Sequence, residues 1–316
     1  MRIVFCGTPQ FAVPTLNHLQ KQKDFEIIAV ISQPDRPRGR GQEISFPPVK
    51  NAALAAGIPV HQPEKIRSPE TQNFIAQLAP DAIVIIAYGQ IIPARLLPIP
   101  KLGWINLHAS LLPKYRGAAP INWAIVNGET KTGLTTMRID AGMDTGDTLL
   151  RREIEIAPAE NAPELAAHMA EAGAPLMAET LRGLAAGTIT PRPQNHADSS
   201  LAPLLKKEDG RIDWNLSAPE IFNRMRGFAP WPGAYTTFRN QTCHLWAEPV
   251  SNEFGEKTAT GPPGALLSHG GNLLVSCGHA TVLRITAVKL EGRKQISASE
   301  FANGSHLKAG ERFGDT

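Results

Sequence analysis

Three short runs near the amino end, Ile3 to Phe5, Glu26 to Ser32 and Asp81 to Ala87, have interiors without a polar residue. A strand with one wet face alternates apolar and polar side chains. Runs that do not alternate are buried on both faces, which is the condition of parallel sheets covered by helices. The segments between them have helical patterns: about Phe11 to Gln22, Val49 to Ala56, and Pro69 to Leu78. The amino-terminal part is therefore expected to be α/β, with a mostly parallel sheet and helices on both faces. The first strand is followed by Gly7-Thr8-Pro9-Gln10-Phe11, not by the glycine fingerprint of a dinucleotide fold. Proline and phenylalanine there oppose a close pyrophosphate, so nicotinamide and flavin chemistry is not expected.

The stretch Gly103 to Gly117 reads Gly-Trp-Ile-Asn-Leu-His-Ala-Ser-Leu-Leu-Pro-Lys-Tyr-Arg-Gly. It begins as an apolar strand and then places Asn106 and His108 two residues apart, on one strand face. Polar groups on an otherwise apolar strand need partners or a task. A pair of this kind also occurs as satisfied polar side chains at a strand end. Further on, Asp140-Ala-Gly-Met-Asp144-Thr-Gly146 lies between two β-rich segments, 132–139 and 147–156, which suggest a hairpin. Amide, imidazole and carboxylate together suit acyl transfer to an amine. The first two can donate to a tetrahedral oxyanion, and the third can hold an imidazolium or guide a proton. Asp144 is the candidate for that task, and Asp147 the candidate for holding the turn. No serine or cysteine nucleophile motif accompanies them, which favours direct transfer.

Gln33 to Pro48 carries four prolines, two glycines and Arg36, Arg38 and Arg40, and is expected to lack regular structure. Its arginines suit a phosphate-rich partner. A solvated loop would have the same composition.

A long alanine-rich helix is expected over 162–187. The domains are read as 1–187, a Pro-, Asn-, Ser- and Thr-rich linker 188–205, and 206–316. The last part has a helix near 218–226 and five short strands, as in a small barrel or sandwich. Trp214, Trp231 and Tyr235 are expected in its core. From Lys207 onward, twelve basic and eleven acidic residues leave it nearly neutral. The whole chain of 316 residues has a net charge of +3, which permits an anionic partner without requiring one. Its three cysteines are far apart, so no disulfide framework or zinc site is indicated, and no metal is expected. The apolar run at the start is too short for a signal peptide or a membrane span. A cytoplasmic monomer is expected.

The pattern Asn106-x-His108-x-Ser110-Leu111-Leu112-Pro113-x-x-Arg116-Gly117, followed by Asp140-x-Gly142-Met143-Asp144-Thr145-Gly146, resembles the formyltransferases that use 10-formyltetrahydrofolate. Gly7-Thr8-Pro9-x-Phe11, the Gln33 to Gly41 loop, Ile212-Asp213-Trp214, and Phe228-x-Pro230-Trp231-Pro232-Gly233-Ala234 resemble the branch that acts on methionyl-tRNA. The likeness extends to Gly292-Arg293-Lys294 and to Gly310-x-x-Phe313-Gly314, and so runs over essentially the whole length. It implies a Rossmann-like catalytic domain and a smaller carboxyl-terminal OB-like β-barrel that binds tRNA. It implies catalytic roles for Asn106, His108 and Asp144, and folate contacts from Ser110, Leu111, Leu112 and Pro113. It implies that Arg36, Arg38 and Arg40 meet the acceptor stem of initiator methionyl-tRNA. Other members formylate amino-sugar nucleotides or glycinamide ribonucleotide. A non-catalytic tRNA-binding protein on the same fold is a further alternative.

Overall fold

The computed structural model describes residues 1–38, 43–250, 261–308 and 310–314. These residues divide into two compact units. The first holds 1–120, 131–155 and 164–203, and the second 121–130, 156–163 and 204–316.

In the first unit the three apolar runs become β1 (Arg2–Gly7), β2 (Glu26–Ile31) and β6 (Ala82–Ile86). With β5 (Val60–His61), β7 (Trp104–His108), β9 (Lys131–Arg138) and β10 (Thr148–Glu155) they form a sheet of order β10-β9-β7-β6-β1-β2-β5. The five strands from β5 to β7 are mutually parallel, and β9 runs antiparallel to β7 and to β10. β9 and β10 are the expected hairpin, and its loop contains 140–146. One face buries Val4, Cys6, Ile31, Ile83, Ile85 and Trp104 with Ile75 of the helix Pro69–Leu78. On the other face, Leu107 and Leu134 meet Gly173 of the helix Ala162–Ala186. Each large aliphatic side chain buried this way stabilises the fold by about 1.5–3 kcal/mol. The first expected helix is shorter than its pattern. A 3₁₀ turn at Gln10–Ala12 precedes the α-helix Val13–Gln20, with Pro14 in its first turn.

Two expectations need correction here. Part of the Gln33 to Pro48 segment is regular: β3 (Arg36–Arg38) pairs antiparallel with β4 (Glu43–Ser45). A two-stranded ribbon has two free edges, so Pro37 is tolerated in it. Residues 188–203, rich in linker composition, group with the first unit. There β11 (Leu201–Ala202) pairs with β8 (Arg116–Gly117), and Thr148 exchanges main-chain hydrogen bonds with Arg192.

The second unit contains the helix Ala218–Gly227, started by a capping box in which Ser217 and Glu220 serve each other's backbone N–H. Five strands follow where the pattern puts them: β12 (Tyr235–Phe238), β13 (Gln241–Pro249), β14 (Leu266–His269), β15 (Asn272–Ser276) and β16 (Val282–Leu290). They pair antiparallel in the order β12-β13-β16-β15-β14, with β17 (Ile296–Ser297) against β16, consistent with a small barrel. The final helix, Ala298–Ser305, seats Phe301 in this unit's core, in edge contact with Phe238. Of the three aromatics expected there, Trp214 is buried, Tyr235 is half-buried, and Trp231 is 54% exposed. Trp231 lies between Pro230 and Pro232, on a turn outside any strand that could turn its ring inward.

The cysteines are free and buried. Burial pushes the Cys243 and Cys277 thiols up to about 12 and raises that of Cys6 as well. All three are therefore expected to resist a thiol reagent until the chain unfolds, which a denaturant-release titration reads directly. Unfolded thiols titrate near about pH 8.5. Above that pH the unfolded chain gives up protons that the folded chain keeps, so this contribution to stability is full below it and falls as pH rises. A rapid reaction of one thiol in the native protein would contradict this.

Candidate active site

β7 delivers Asn106 and His108 at the end of the parallel set, where open α/β sheets bind ligands. They share the face of Trp104. β9 lies beside them, with Asn106 opposite Met137 and His108 opposite Thr135. Asn106 is half-buried, and its side-chain amide has no protein hydrogen-bond partner among the described residues. His108 is buried. Its Nε2 lies 2.9 Å from the carbonyl of Tyr115. A carbonyl only accepts, so Nε2 carries the hydrogen, and Nδ1 is the ring atom left to face a substrate. Nδ1 is 3.7 Å from Asp144 Oδ2, close enough for charge attraction but beyond hydrogen-bonding distance.

Asp144 stands in the β9–β10 loop with φ +53°, a left-handed conformation that aspartate tolerates better than most residues. Its Oδ2 accepts the Gly117 N–H at 2.8 Å. The residue that holds the turn is Asp140 rather than Asp147. Asp140 Oδ1 accepts from Gly142 N at 3.0 Å and from Thr145 Oγ1 at 2.8 Å. Asp147 contributes its main-chain carbonyl to Arg138 N.

The turn after β7 is fastened through Thr135. Its hydroxyl donates to Ser110 O at 2.7 Å and accepts from Leu112 N at 3.1 Å. Ser110 donates to Lys114 O at 2.6 Å. The side chains of Ser110 and Leu112 are buried, whereas those of Leu111 and Pro113 are half-buried. A ligand along this turn would meet Leu111, Pro113 and main chain. A Cβ at Gly133 would lie 2.2 Å from Arg152 O of β10 and 2.5 Å from Leu111 Cδ2, so the glycine leaves room for both the neighbouring strand and the turn.

Two side chains that sequence reasoning did not single out for the site complete it. Arg116 is only 6% exposed, and its Nη2 and Nε donate to Gln194 Oε1 at 2.7 and 3.2 Å. The Gln194 amide donates in turn to Asp144 O at 2.8 Å and Gly146 O at 2.7 Å. Arg116 stood inside the motif, but Gln194 sits in linker-like sequence and has no periodicity to mark it.

Of the arginine segment, Arg36 is exposed on β3 and Arg38 ends that strand, while Arg40 lies outside the described residues. The base of the ribbon is anchored. Asp35 is held by Gln62 Nε2 at 2.8 Å and Lys50 Nζ at 2.5 Å, and these contacts keep its carboxyl below the usual carboxylate range. Among the described residues, no group of three or more His, Cys, Asp or Glu side chains could hold a metal ion.

The family model for formyl transferase matches residues 1–181, and that for the formyl transferase carboxyl-terminal domain matches 204–306. A methionyl-tRNA formyltransferase of Solibacter usitatus is 54% identical over 316 residues, covering all of this chain and 99% of its own. The chain belongs to the methionyl-tRNA formyltransferase family. The family member of Koribacter versatilis is 52% identical and covers 99% of each chain. Among solved structures, the sugar 3N-formyltransferase WlaRD superposes with a TM-score of 0.64 at 18% identity, covering 93% of this chain and 99% of its own. At that identity the likeness shows the shared fold. No helix among the described residues is long and apolar enough to cross a membrane.

Proposed function

We propose that the chain transfers the formyl group of 10-formyltetrahydrofolate to the α-amine of initiator methionyl-tRNA, acting as a cytoplasmic monomer. The observation that carries this reading is the meeting of His108 Nδ1 and Asp144 beside an Asn106 amide with no hydrogen-bond partner among the described residues. The full-length identity to named methionyl-tRNA formyltransferases supports this acceptor over an amino-sugar nucleotide or glycinamide ribonucleotide.

In the reaction the neutral α-amine attacks the formyl carbon, forming a C–N bond. Asn106 and His108, the latter as an imidazolium with a hydrogen on Nδ1 as well as on Nε2, donate to the oxygen that becomes an oxyanion. Asp144 sustains the charge on the imidazole and guides the amine proton toward N10 of the departing folate. The bond from carbon to N10 then breaks, and the proton ends on N10. No metal takes part in this scheme. The segment Ser110, Leu111, Leu112 and Pro113 receives the folate, Leu111 and Pro113 by side chain and Ser110 and Leu112 by main chain. Arg36, Arg38 and Arg40 engage acceptor-stem phosphates, and the carboxyl-terminal unit adds further tRNA contact.

The test is a turnover assay of the purified protein with 10-formyltetrahydrofolate and three acceptors: initiator methionyl-tRNA, elongator methionyl-tRNA and an amino-sugar nucleotide. Preferential formylation of the initiator is expected, and comparable turnover of the sugar would overturn the proposal. In the same assay, Arg40→Ala should weaken tRNA use and leave the KM for folate unchanged. Loss of one phosphate contact should lower the slope of log affinity against log salt by about 0.9. Equal losses toward tRNA and folate would mean that the segment serves the fold instead.

A further inference from the structure

We propose that Arg116 and Gln194 form a clamp whose task is to position Asp144 for formyl transfer, with Gln194 the positioning residue. The inference rests on the reading of Asp144 given above. Asp144 is held in a left-handed conformation at φ +53°. Such a backbone state is sparsely populated by residues with a side chain and persists when its surroundings determine it. The side chain supplies one restraint, its Oδ2 accepting from Gly117 N beside His108, and this fixes the carboxylate end of the residue. A second restraint is on the main chain. One amide, that of Gln194, donates both of its hydrogens, to the carbonyls of Asp144 and Gly146, and so brackets the turn.

The amide is itself oriented. Its oxygen accepts two hydrogen bonds from the guanidinium of Arg116, which fixes which end of the side chain faces the loop. Arg116 is fixed in turn, with Nη1 3.1 Å from Nδ1 of His196 and its main-chain N bonded to Ser200 O. Gln194 is buried, so an unmade bond here is not replaced by water. The clamp also closes back on the catalytic pair. Arg116 lies between Tyr115, whose carbonyl holds His108, and Gly117, whose N–H holds Asp144. One short segment thus sets the imidazole, the carboxylate and the clamp that steadies the carboxylate.

The two halves of the clamp can be separated by chemistry. Gln194→Glu keeps an oxygen for Arg116 but has no hydrogen for the two carbonyls. Gln194→Met keeps the length and loses both halves. Both variants should lower kcat by about 10- to 100-fold, as small misplacement of a reacting group does, with the KM for 10-formyltetrahydrofolate within about twofold of the wild type. Combined with Asp144→Asn, Gln194→Glu should cause no further loss, because the positioned group is already gone. A merely structural role predicts a lower melting temperature, a fall in folded yield, and independent losses that multiply in the double variant. Wild-type kcat in Gln194→Glu, beside a strongly impaired Asp144→Asn, would overturn the clamp while leaving the catalytic reading intact. Near-normal turnover of Asp144→Asn would overturn the catalytic reading itself, and the clamp with it.

Discussion

Asn106→Ala is expected to slow formyl transfer about 10²- to 10³-fold, the usual consequence of removing one preorganised oxyanion donor. The melting temperature should stay within a degree or two of the wild type. The reason for separating the two effects is specific to this side chain. The Asn106 amide is half-buried and has no protein hydrogen-bond partner among the described residues, so its removal breaks no bond that the fold depends on. His108→Ala would be a less clean probe, because it also strands the Tyr115 carbonyl. The loss in Asn106→Ala should appear in kcat at saturating substrates, since an oxyanion donor acts in the transition state more than in the ground state. Rapid-quench single turnovers can separate the chemical step from product release. A variant that turns over at the wild-type rate would remove Asn106 from the mechanism.

The parts of this structure that sequence made legible are those with a period. The runs at 3–5, 27–31 and 82–86 could be buried in only one kind of sheet, and they form its centre. The β-rich segments 132–139 and 147–156 became the hairpin beside the parallel set, and the five turn-punctuated segments of the last third became β12 to β16. Asn106 and His108 were visible because polar residues on an apolar strand stand out. What sequence could not show are contacts without a period. Gln194 is one polar residue in a polar segment, and only the fold brings it to Asp144, fifty positions earlier. Asp140 and Asp147 are equivalent turn residues by composition, and hydrogen-bond geometry alone assigns the turn to Asp140. The β3–β4 ribbon was hidden by Pro37 and the other prolines of its segment, since a proline bars a central strand but not a two-stranded ribbon.

Gly146→Ala is expected to damage the protein more than its single methyl group suggests. The backbone at Gly146 is not left-handed, so conformational freedom does not explain the glycine. Space does. A Cβ built there would lie 1.9 Å from Arg138 O, 3.0 Å from Arg138 C and 3.4 Å from Asp140 N, all main-chain atoms. Arg138 cannot retreat easily. It ends β9, its N–H is bonded to Asp147 O, and its strand pairs with β7. The Gly146 carbonyl is itself held by the Gln194 amide. Overpacking of this kind costs about 1–3 kcal/mol, and relief by shifting the loop would carry Asp144 away from His108. A fall in melting temperature should therefore accompany a loss of turnover of about 100-fold, the penalty for a misplacement near 1 Å. Gly187→Ala provides the contrast. Its φ is +68° and nothing lies within 4 Å of the added Cβ, so strain of about 1–2 kcal/mol is the whole expected effect and kcat should not change. If Gly146→Ala matched Gly187→Ala in both melting temperature and kcat, the loop would have room to yield, and the tight approach of Gly146 to Arg138 would not be what fixes Asp144.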